Sequence, residues 1–462
     1  MSLSRPRRSV VLAAALACAC GAAPAWAADD PYCTGTSYGD EPAQAAPLRM
    51  GVDPELAGSV GTGQSAAVPL DEAKDIAALQ ALRPPGKALV LRVNRLFWAD
   101  GEEGIKHFQE IVARHDAAGF DSELQVRYHP APGDEGNIAK WTAYVRHVVD
   151  VFGPDRHVVA MTITNEVNLN ISQNTSDGAY AGATDALVEG IKAARDQADR
   201  IGRTDLPFGF TFAFRWNPAS DAKFWTTLAA GGDPFRRALG FVGVDDYPGG
   251  FWPPVVAPNS TPGHEMVVAL ATLRRCFMPK AGLGDSVPIW VTENGRDSKS
   301  NLGDADQAAT LEDMVRSTAS VAGTYHVTDY RWFNLRDNRT GSPALFDTSG
   351  LLHDDYSEKP SFARYRSLVA ELGTDQPAPP AAGSTPCRSR RKVAITLPRE
   401  ARRVRVAING SPRTGVGGRG RRLTIDFSGF PKGTFRVVVH GTAHGRKFEL
   451  RRRYRTCTPG PQ

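Results

Sequence analysis

The clearest structural signal in the chain is Val158-Val159-Ala160-Met161-Thr162-Ile163-Thr164-Asn165-Glu166. Its first six residues are mostly apolar and do not alternate with charged residues, as expected of a strand that is covered on both faces. Strands of this kind form the parallel sheets of α/β proteins, whose ligands bind where the strands end. Glu166 lies at such an end, and we expect its carboxyl group in a cleft.

A second segment repeats the arrangement in Val287-Pro288-Ile289-Trp290-Val291-Thr292-Glu293-Asn294-Gly295. Here too a short apolar run is followed at once by a glutamate, Glu293. Because the carboxyl ends of parallel strands meet at one edge of a sheet, we expect Glu166 and Glu293 to share one pocket.

Apolar strand-like runs alternate with amphipathic helical stretches between residues 46 and 372. The eight predicted strands are Leu48–Val52, Ala88–Val93, Leu124–Tyr128, Val158–Ile163, Pro207–Phe212, Leu239–Val244, Pro288–Thr292 and Thr328–Phe333. The helices predicted between them include Gly104–Ala118, Ala139–Phe152, Ala181–Ile201 and Ala305–Ala322. Eight such units predict an α/β fold, a (β/α)8 TIM barrel. An open doubly wound sheet is the alternative, but no glycine-rich phosphate loop follows the early strands.

A second domain is predicted after a Pro/Ala-rich linker at residues 373–386. Residues 387–457 contain short runs of alternating apolar and polar residues, separated by turn signals such as Asn409-Gly410. This pattern is typical of a small antiparallel β-sandwich. Residues 458–462 form a tail.

Charge is divided unevenly between the two predicted domains. Residues 387–457 hold 20 Lys and Arg against 3 Asp and Glu, a balance of +17, whereas the whole chain sums to +5. The remainder of the chain is therefore acidic. We expect the basic domain to bind an anionic cell-wall polymer, with no specific nucleic-acid partner and no transmembrane anchor.

The first 27 residues have the features of a secretory signal peptide. Arg5, Arg7 and Arg8 precede an apolar stretch and the small-x-small motif Ala25-Trp26-Ala27. We expect cleavage there, an N-terminal extension over residues 28–45, and a secreted, extracellular protein, with association to the cell wall as a further option.

Four cysteines follow the predicted cleavage site, at positions 33, 276, 387 and 457. An even number in an exported chain suggests two disulfides. Cys387 and Cys457 bracket one compact segment and are predicted to pair, while the pairing of Cys33 and Cys276 stays open. No Cys/His cluster suggests a metal, and no cofactor is predicted.

Residues 46–372 resemble the clan A retaining glycoside hydrolases, a superfamily of barrel enzymes that includes β-glucosidases, cellulases and β-xylosidases. The resemblance rests on the pair Asn165-Glu166 after the fourth strand and on Thr292-Glu293-Asn294-Gly295 after the seventh. It implies that Glu166 is the catalytic acid/base and that Glu293 is the nucleophile.

Other strand ends match further positions of that superfamily. The resemblance implies that an arginine keeps the nucleophile ionised, a tyrosine donates a hydrogen bond to it, an asparagine binds the sugar 2-hydroxyl, a histidine lines the site and a tryptophan forms a platform beneath the sugar. The matching residues are Arg92, Tyr247, Asn165, His129 and Trp332. For the arginine, Arg95 is an alternative to Arg92. A buried cation of this kind lowers the pKa of a carboxyl group.

Two carboxyl groups roughly 5 to 5.5 Å apart suffice for retaining glycoside cleavage. The leading hypothesis is therefore a secreted enzyme, a retaining glycoside hydrolase that cleaves O-glycosidic, preferentially β, bonds in a polysaccharide or oligosaccharide by double displacement. One alternative is a non-catalytic carbohydrate- or cell-wall-binding protein on a barrel scaffold. Another is a transglycosidase, in which a sugar replaces water in the second step. The sugar and its linkage do not follow from the sequence.

Overall fold

The computed structural model describes most of the chain in two compact units, divided after residue 376. The described residues are 30–35, 38–54, 68–214, 217–251, 256–298, 303–344, 346–376, 392–409, 411–413, 418–419, 421–427 and 433–456. The predicted signal peptide, most of the predicted linker and the predicted Cys387–Cys457 pair lie outside these residues.

The first unit is a closed barrel of eight parallel strands. These are β1 Arg49–Val52, β2 Val90–Phe97, β3 Asp121–Arg127, β4 Val158–Ile163, β5 Phe208–Ala213, β6 Phe241–Asp245, β7 Ile289–Glu293 and β8 Val327–Trp332. Each strand pairs with the next, and β8 returns to β1 with Gly51 opposite Arg331. The prediction of a (β/α)8 barrel is confirmed, because an open sheet would leave β1 and β8 as edges.

Helices follow the strands and cover the outside of the barrel. They are α1 Glu72–Leu82, α2 Gly101–Ala117, α3 Ile138–Phe152, α4 Ala183–Ile201, α5 Pro218–Leu228, α6 Gly232–Ala238, α7 Pro262–Thr272, α8 Met278–Lys280, α9 Gly303–Tyr325 and α10 Pro360–Leu372. In α3, the Asn137 side chain caps the amino end and an apolar stripe that includes Trp141 and Val145 is buried. Within the described residues, no helix is long and apolar enough to cross a membrane.

A disulfide fixes the N-terminal extension to the helical layer. Cys33 is bonded to Cys276, which lies in the π-helical turn Leu273–Phe277 between α7 and α8. Next to it, Arg275 donates two hydrogen bonds of 2.7 and 2.8 Å to the carboxylate of Glu41. The structure thus supplies the pairing that the sequence left open.

The barrel interior changes from apolar to charged along its axis. Near the amino ends of the strands, the rings of Phe241 and Trp290 stack with centroids 3.7 Å apart. Further along, Glu123 receives hydrogen bonds from both Arg92 and Arg331, at 2.5 and 3.1 Å. Buried charges persist only when they are paired, and this layer of ion pairs lies directly below the cavity at the carboxyl ends.

The second unit consists of two antiparallel sheets. Its strands are β9 Lys392–Thr396, β10 Arg402–Ile408, β11 Ser411–Arg413, β12 Gly418–Arg419, β13 Arg422–Asp426, β14 Gly433–Ala443 and β15 Arg446–Thr456. One sheet has the order β11-β10-β14-β15 and the other has the order β12-β13-β9. Ile395 and Ile425 from one sheet share an apolar core with Val406 and Val437 from the other. The prediction of a small β-sandwich is confirmed.

Candidate active site

A cavity of about 360 Å³ lies at the carboxyl ends of the barrel strands. The described residues that line it are Asn94, Arg95, Gln125, Arg127, Asn165, Glu166, Leu169, Ile171, Ser172, Thr175, Tyr247, Phe251, Glu293, Phe333 and Phe346. The two glutamates predicted from the sequence therefore open into one space. Asn165 and Tyr247 join them there.

Glu293 is held by two donors, one on each carboxylate oxygen. The Tyr247 hydroxyl donates a hydrogen bond of 2.9 Å to Oε2, and Arg92 Nη2 lies 3.3 Å from Oε1. Burial raises the pKa of Tyr247 well above its usual range, and the negative charge of Glu293 raises it further. The phenol therefore keeps its proton and donates a hydrogen bond to Glu293.

Arg92 is the arginine that forms an ion pair with Glu293. Its guanidinium is fully buried and also contacts Glu123 at 2.5 Å and Asp53 at 3.9 Å. Arg95, the alternative considered from the sequence, instead lines the cavity. Burial and the positive charge of Arg127 lower the pKa of Arg95 to about 10, so it remains a cation at neutral pH.

Glu166 lies in a different environment. Burial raises the pKa of its carboxyl group well above the usual range, and the negative charges of Asp245 and Glu293 raise it further. Its backbone N–H donates a 2.9 Å hydrogen bond to Thr211 Oγ1. Its φ of 45° lies in the left-handed region, a strained conformation that is common where a side chain is held for function. The raised pKa favours a protonated Glu166, which faces a Glu293 held by an arginine and a tyrosine.

Asn165 is fixed from both strands that flank β4. Its Oδ1 accepts hydrogen bonds from Gln125 at 2.7 Å and from Thr211 at 3.0 Å, and its Nδ2 donates to the Thr175 carbonyl at 3.1 Å. The amide orientation is thereby set before any ligand binds.

Asp177 positions the start of the loop that follows β4, a role that the sequence did not predict. Its carboxylate accepts hydrogen bonds from the backbone N–H groups of Tyr128 and Asn165, both at 2.8 Å, and pairs with Arg127 at 3.0 Å. One buried carboxylate thus joins the ends of β3 and β4. Asp177 begins a short 3-10 helix, Asp177–Ala179, eleven residues after Glu166, and no local sequence pattern marks its role.

Asp245 is a further buried carboxyl group near the two glutamates. It accepts a 2.7 Å hydrogen bond from Thr292 Oγ1. Burial raises its pKa well above the usual range, and Glu293 adds to that rise while Arg92 opposes it. The sequence shows Asp245-Asp246-Tyr247 directly after the sixth predicted strand, but the local pattern alone assigns Asp245 no role. In the barrel, Asp245 points inward because it ends β6.

The predicted sugar platform at Trp332 is not supported. Its ring is fully buried, and its Nε1 donates to the Ser349 carbonyl at 3.1 Å, so it offers no face to a ligand. The next residue, Phe333, lines the cavity instead. Side chains alternate along a strand, and Arg331 points into the barrel toward Glu123, so Phe333 is the aromatic residue on the inner side. In the sequence, the charged residue Arg331 was the sign that side chains at positions 331 and 333 point into the barrel.

His129 is also absent from the described residues that line the cavity. Its Nδ1 is 2.9 Å from the Tyr180 hydroxyl, and its ring stacks on Phe97 with centroids 4.4 Å apart. Burial and Arg127 lower its pKa, which favours the neutral ring. His129 therefore packs against Tyr180 and Phe97 and does not face the cavity.

Among the described residues, no group of three His, Cys, Asp or Glu side chains is placed to hold a metal ion. The acidic groups of the cavity are instead paired with arginine, tyrosine, threonine and asparagine donors. Glu166 and Glu293 are two carboxyl groups in unlike environments, and acid/base and nucleophilic chemistry uses such a pair.

No protein-family model matches the chain, and no curated protein matches it significantly. Among solved structures it is similar to the apo structure of β-glucosidase 1317, with 17% identity and a TM-score of 0.47 over 71% of this chain and 98% of that one. It is also similar to a family 1 β-glucosidase from Thermotoga maritima, with 14% identity and a TM-score of 0.46 over 66% and 86%. A family 39 glycoside hydrolase from Bacteroides cellulosilyticus WH2 has 14% identity and a TM-score of 0.48 over 82% and 79%. At these values the matches bear on no single residue of the site.

Proposed function

We propose that this chain is an exported retaining glycoside hydrolase that cleaves β-linked sugars by double displacement. The observation that carries the proposal is the opposite environment of the two glutamates in one cavity. Glu293 is stabilised as a carboxylate by Arg92 and Tyr247, while burial and neighbouring negative charge favour a protonated Glu166. Retaining glycosidases need one carboxyl group in each state.

In the first step, a Glu293 oxygen attacks the anomeric carbon while the bond from that carbon to the leaving oxygen breaks. Glu166 gives its proton to the leaving oxygen, so an alcohol departs and a glycosyl ester forms on Glu293. In the second step, the Glu166 carboxylate takes a proton from water as the water oxygen attacks the same carbon. The ester bond breaks, and both glutamates return to their starting states.

The surrounding residues stabilise these changes of charge. Tyr247 and Arg92 hold the Glu293 carboxylate in position for attack and receive it again when the ester breaks. The amide of Asn165 is oriented by Gln125 and Thr211 at the cavity surface, where it would bind the sugar 2-hydroxyl. Such preorganised donors act without the cost of reorienting water.

The test is turnover by the purified full chain of aryl β-glycosides that carry different sugars, followed by proton NMR of the first product anomer. We expect release of the β anomer from a β substrate, because two inversions restore the configuration. Release of the α anomer would contradict the double displacement. Sugar binding without turnover would favour the non-catalytic alternative, and new glycosides formed with an added sugar acceptor would favour a transglycosidase.

We further propose that the second unit holds the enzyme on an anionic polymer of the cell wall. Residues that face each other across antiparallel strands point to the same side of a sheet, so the register places Arg405 opposite His440 and Val438 opposite Arg451 on the side away from the apolar core. Arg405, Arg436 and Arg451 are exposed there. Exposed guanidinium groups on one side of a sheet suit the repeated anionic groups of an extended polymer, and Arg451 there also pairs with Glu449.

A further inference from the structure

Four of the apolar side chains that line the cavity take no part in the proposed chemistry. Leu169 and Ile171 come from the loop after β4, whereas Phe251 and Phe346 come from the loops after β6 and β8. Ile171 is 46% exposed, although a single exposed aliphatic residue would mean little. What matters is that these four side chains line the same space as the two glutamates.

Leu169 and Ile171 lie beside Glu166, three and five positions after it in the chain. The Leu169 N–H donates a 2.8 Å hydrogen bond to the Glu166 carbonyl, and Ser176 Oγ donates to the Leu169 carbonyl at 2.8 Å. The loop is thereby held against the acid. The leaving oxygen must lie at the Glu166 carboxyl group to receive its proton. The carbon atoms of the leaving group therefore extend along Leu169 and Ile171.

Phenylalanines form the facing wall. The Phe346 ring contacts Phe251 at 5.6 Å and Phe333 at 5.8 Å between centroids. In a closed ring of eight strands, β4 and β8 lie on opposite sides, so the loop after β4 faces this aromatic group across the cavity. Phenyl and aliphatic side chains have no hydrogen-bonding group. Next to these side chains, the hydroxyl groups of a second sugar would find few hydrogen-bond partners, whereas an apolar chain needs none.

We propose, on the basis of the glycosidase activity proposed above, that the natural leaving group is an apolar alcohol. The cavity takes β-glycosides whose aglycone is an alkyl or arylalkyl chain in preference to a second sugar. The sugar sits among the polar residues around Glu293, and the chain lies between Leu169 and Ile171 on one side and Phe251 and Phe346 on the other.

The experiment compares methyl, n-octyl and 2-phenylethyl β-glycosides of glucose, galactose, mannose and xylose, together with disaccharides of the same sugars. The three alcohols are all primary and leave with similar intrinsic ease, so differences in kcat/KM report contacts with the chain. Each buried methylene raises kcat/KM roughly fourfold. If four of the additional methylenes of octyl are buried, kcat/KM should be on the order of 100-fold higher for the octyl than for the methyl glycoside. A preference for octyl over 2-phenylethyl would indicate a site for an alkyl chain, and the reverse preference would indicate a site for an aryl group.

Binding of the same ligands to the full-length Glu293→Gln variant is measured by calorimetry, below the concentration at which octyl glycosides form micelles. This measurement gives the affinity of the apolar site for each ligand, whether or not the wild type turns the substrate over. Ile171→Ser is expected to lower the octyl-to-methyl ratio by several-fold up to about tenfold. The matched control is Val68→Ser, since Val68 is an exposed aliphatic residue, 39% exposed, that does not line the cavity among the described residues.

The outcomes separate the two proposals. Tighter octyl binding that Ile171→Ser weakens, in a chain that cleaves none of the glycosides, would support the apolar site and overturn the hydrolase. Turnover with equal kcat/KM for methyl and octyl glycosides, or with disaccharides preferred over both, would overturn the apolar site and leave the hydrolase standing. An octyl preference that Val68→Ser reduces as much as Ile171→Ser would also overturn it, because such binding would not be confined to the cavity.

Discussion

The Tyr247 hydroxyl lies 2.9 Å from Glu293 Oε2, which joins the loop after β6 to the end of β7. A hydrogen bond to a charged group contributes about 1.5 to 3 kcal/mol. We expect Tyr247→Phe to lower kcat/KM roughly 10- to 100-fold. The control is Tyr144→Phe, which removes a hydroxyl that bonds only to the Phe97 carbonyl among the described contacts. Equal losses of kcat/KM in both variants would show that the Tyr247 hydroxyl has no specific role in the site.

Glu293 is expected to be indispensable, because in the proposed mechanism it forms the covalent bond to the sugar. Glu293→Ala should lower kcat by at least on the order of a thousandfold. Azide, entering the space vacated by the carboxylate, should restore activity and give a glycosyl azide of inverted configuration. The azide product is identified by NMR. A variant with near wild-type turnover would exclude Glu293 as the nucleophile.

Loss of Glu166 should depend on the leaving group. Glu166→Ala is expected to abolish cleavage of alkyl glycosides and to spare 2,4-dinitrophenyl glycosides, whose leaving group needs little protonation. Burial and nearby negative charge raise the pKa of Glu166, so wild-type activity should fall as pH rises through that pKa, when the acid loses its proton. The variant should lack this alkaline decline. Equal loss on both substrates, with the decline retained, would argue against the role.

Asp245 should make the folded state less stable at high pH. Its pKa is raised above the unfolded value, so its contribution to stability is present below the unfolded pKa and is lost as pH rises through the folded pKa. Asp245→Asn removes the titration, and its amide oxygen can still accept from Thr292. Urea unfolding at about pH 5 and about pH 8 should show a smaller fall in the free energy of unfolding for the variant.

The control for this measurement is Asp40→Asn, which changes an exposed aspartate. It should fall in stability as much as the wild type between the two pH values. If Asp245→Asn does the same, the carboxyl group is ionised in both states and the interpretation of its environment is wrong.

Binding of the full chain to an immobilised acidic polysaccharide should depend on the outer face of the four-stranded sheet. Exposed charges are screened over roughly 10 Å at 0.1 M salt, so retention should fall steeply as ionic strength rises. The double variant Arg405→Glu, Arg436→Glu should elute at lower salt. A matched double variant on the barrel, Arg156→Glu with Arg237→Glu, should elute as the wild type does. Elution independent of salt would contradict the proposed polymer site.

The sequence was informative wherever local pattern and buried position coincide. The eight strands could be predicted because a strand covered on both faces must be apolar, and β4 has the predicted bounds Val158–Ile163. The two glutamates could be predicted because each follows such a run directly. Arg92 could be separated from Arg95 only in three dimensions, where Arg92 reaches Glu293 and Arg95 lines the cavity next to a register shift in β2 between Val93 and Leu96.

Residues whose role depends on distant contacts were missed. Asp177 reaches Arg127 across fifty positions of sequence, and nothing near it in the chain reports that contact. Phe333 and Trp332 are neighbours at a strand end, where a shift of one residue exchanges the inner and outer faces. The aromatic group around Phe346 is assembled from two loops, those after β6 and β8, and loop geometry does not follow from composition.

The bond between Cys33 and Cys276 encloses β1 to β6 in one covalent loop. A protease that cuts a single peptide bond inside this loop would therefore not release a fragment. The nicked molecule would run at full mass on a non-reducing gel and would separate into two pieces only after reduction. After such a cut, all eight strands of the barrel would still belong to one covalently linked molecule.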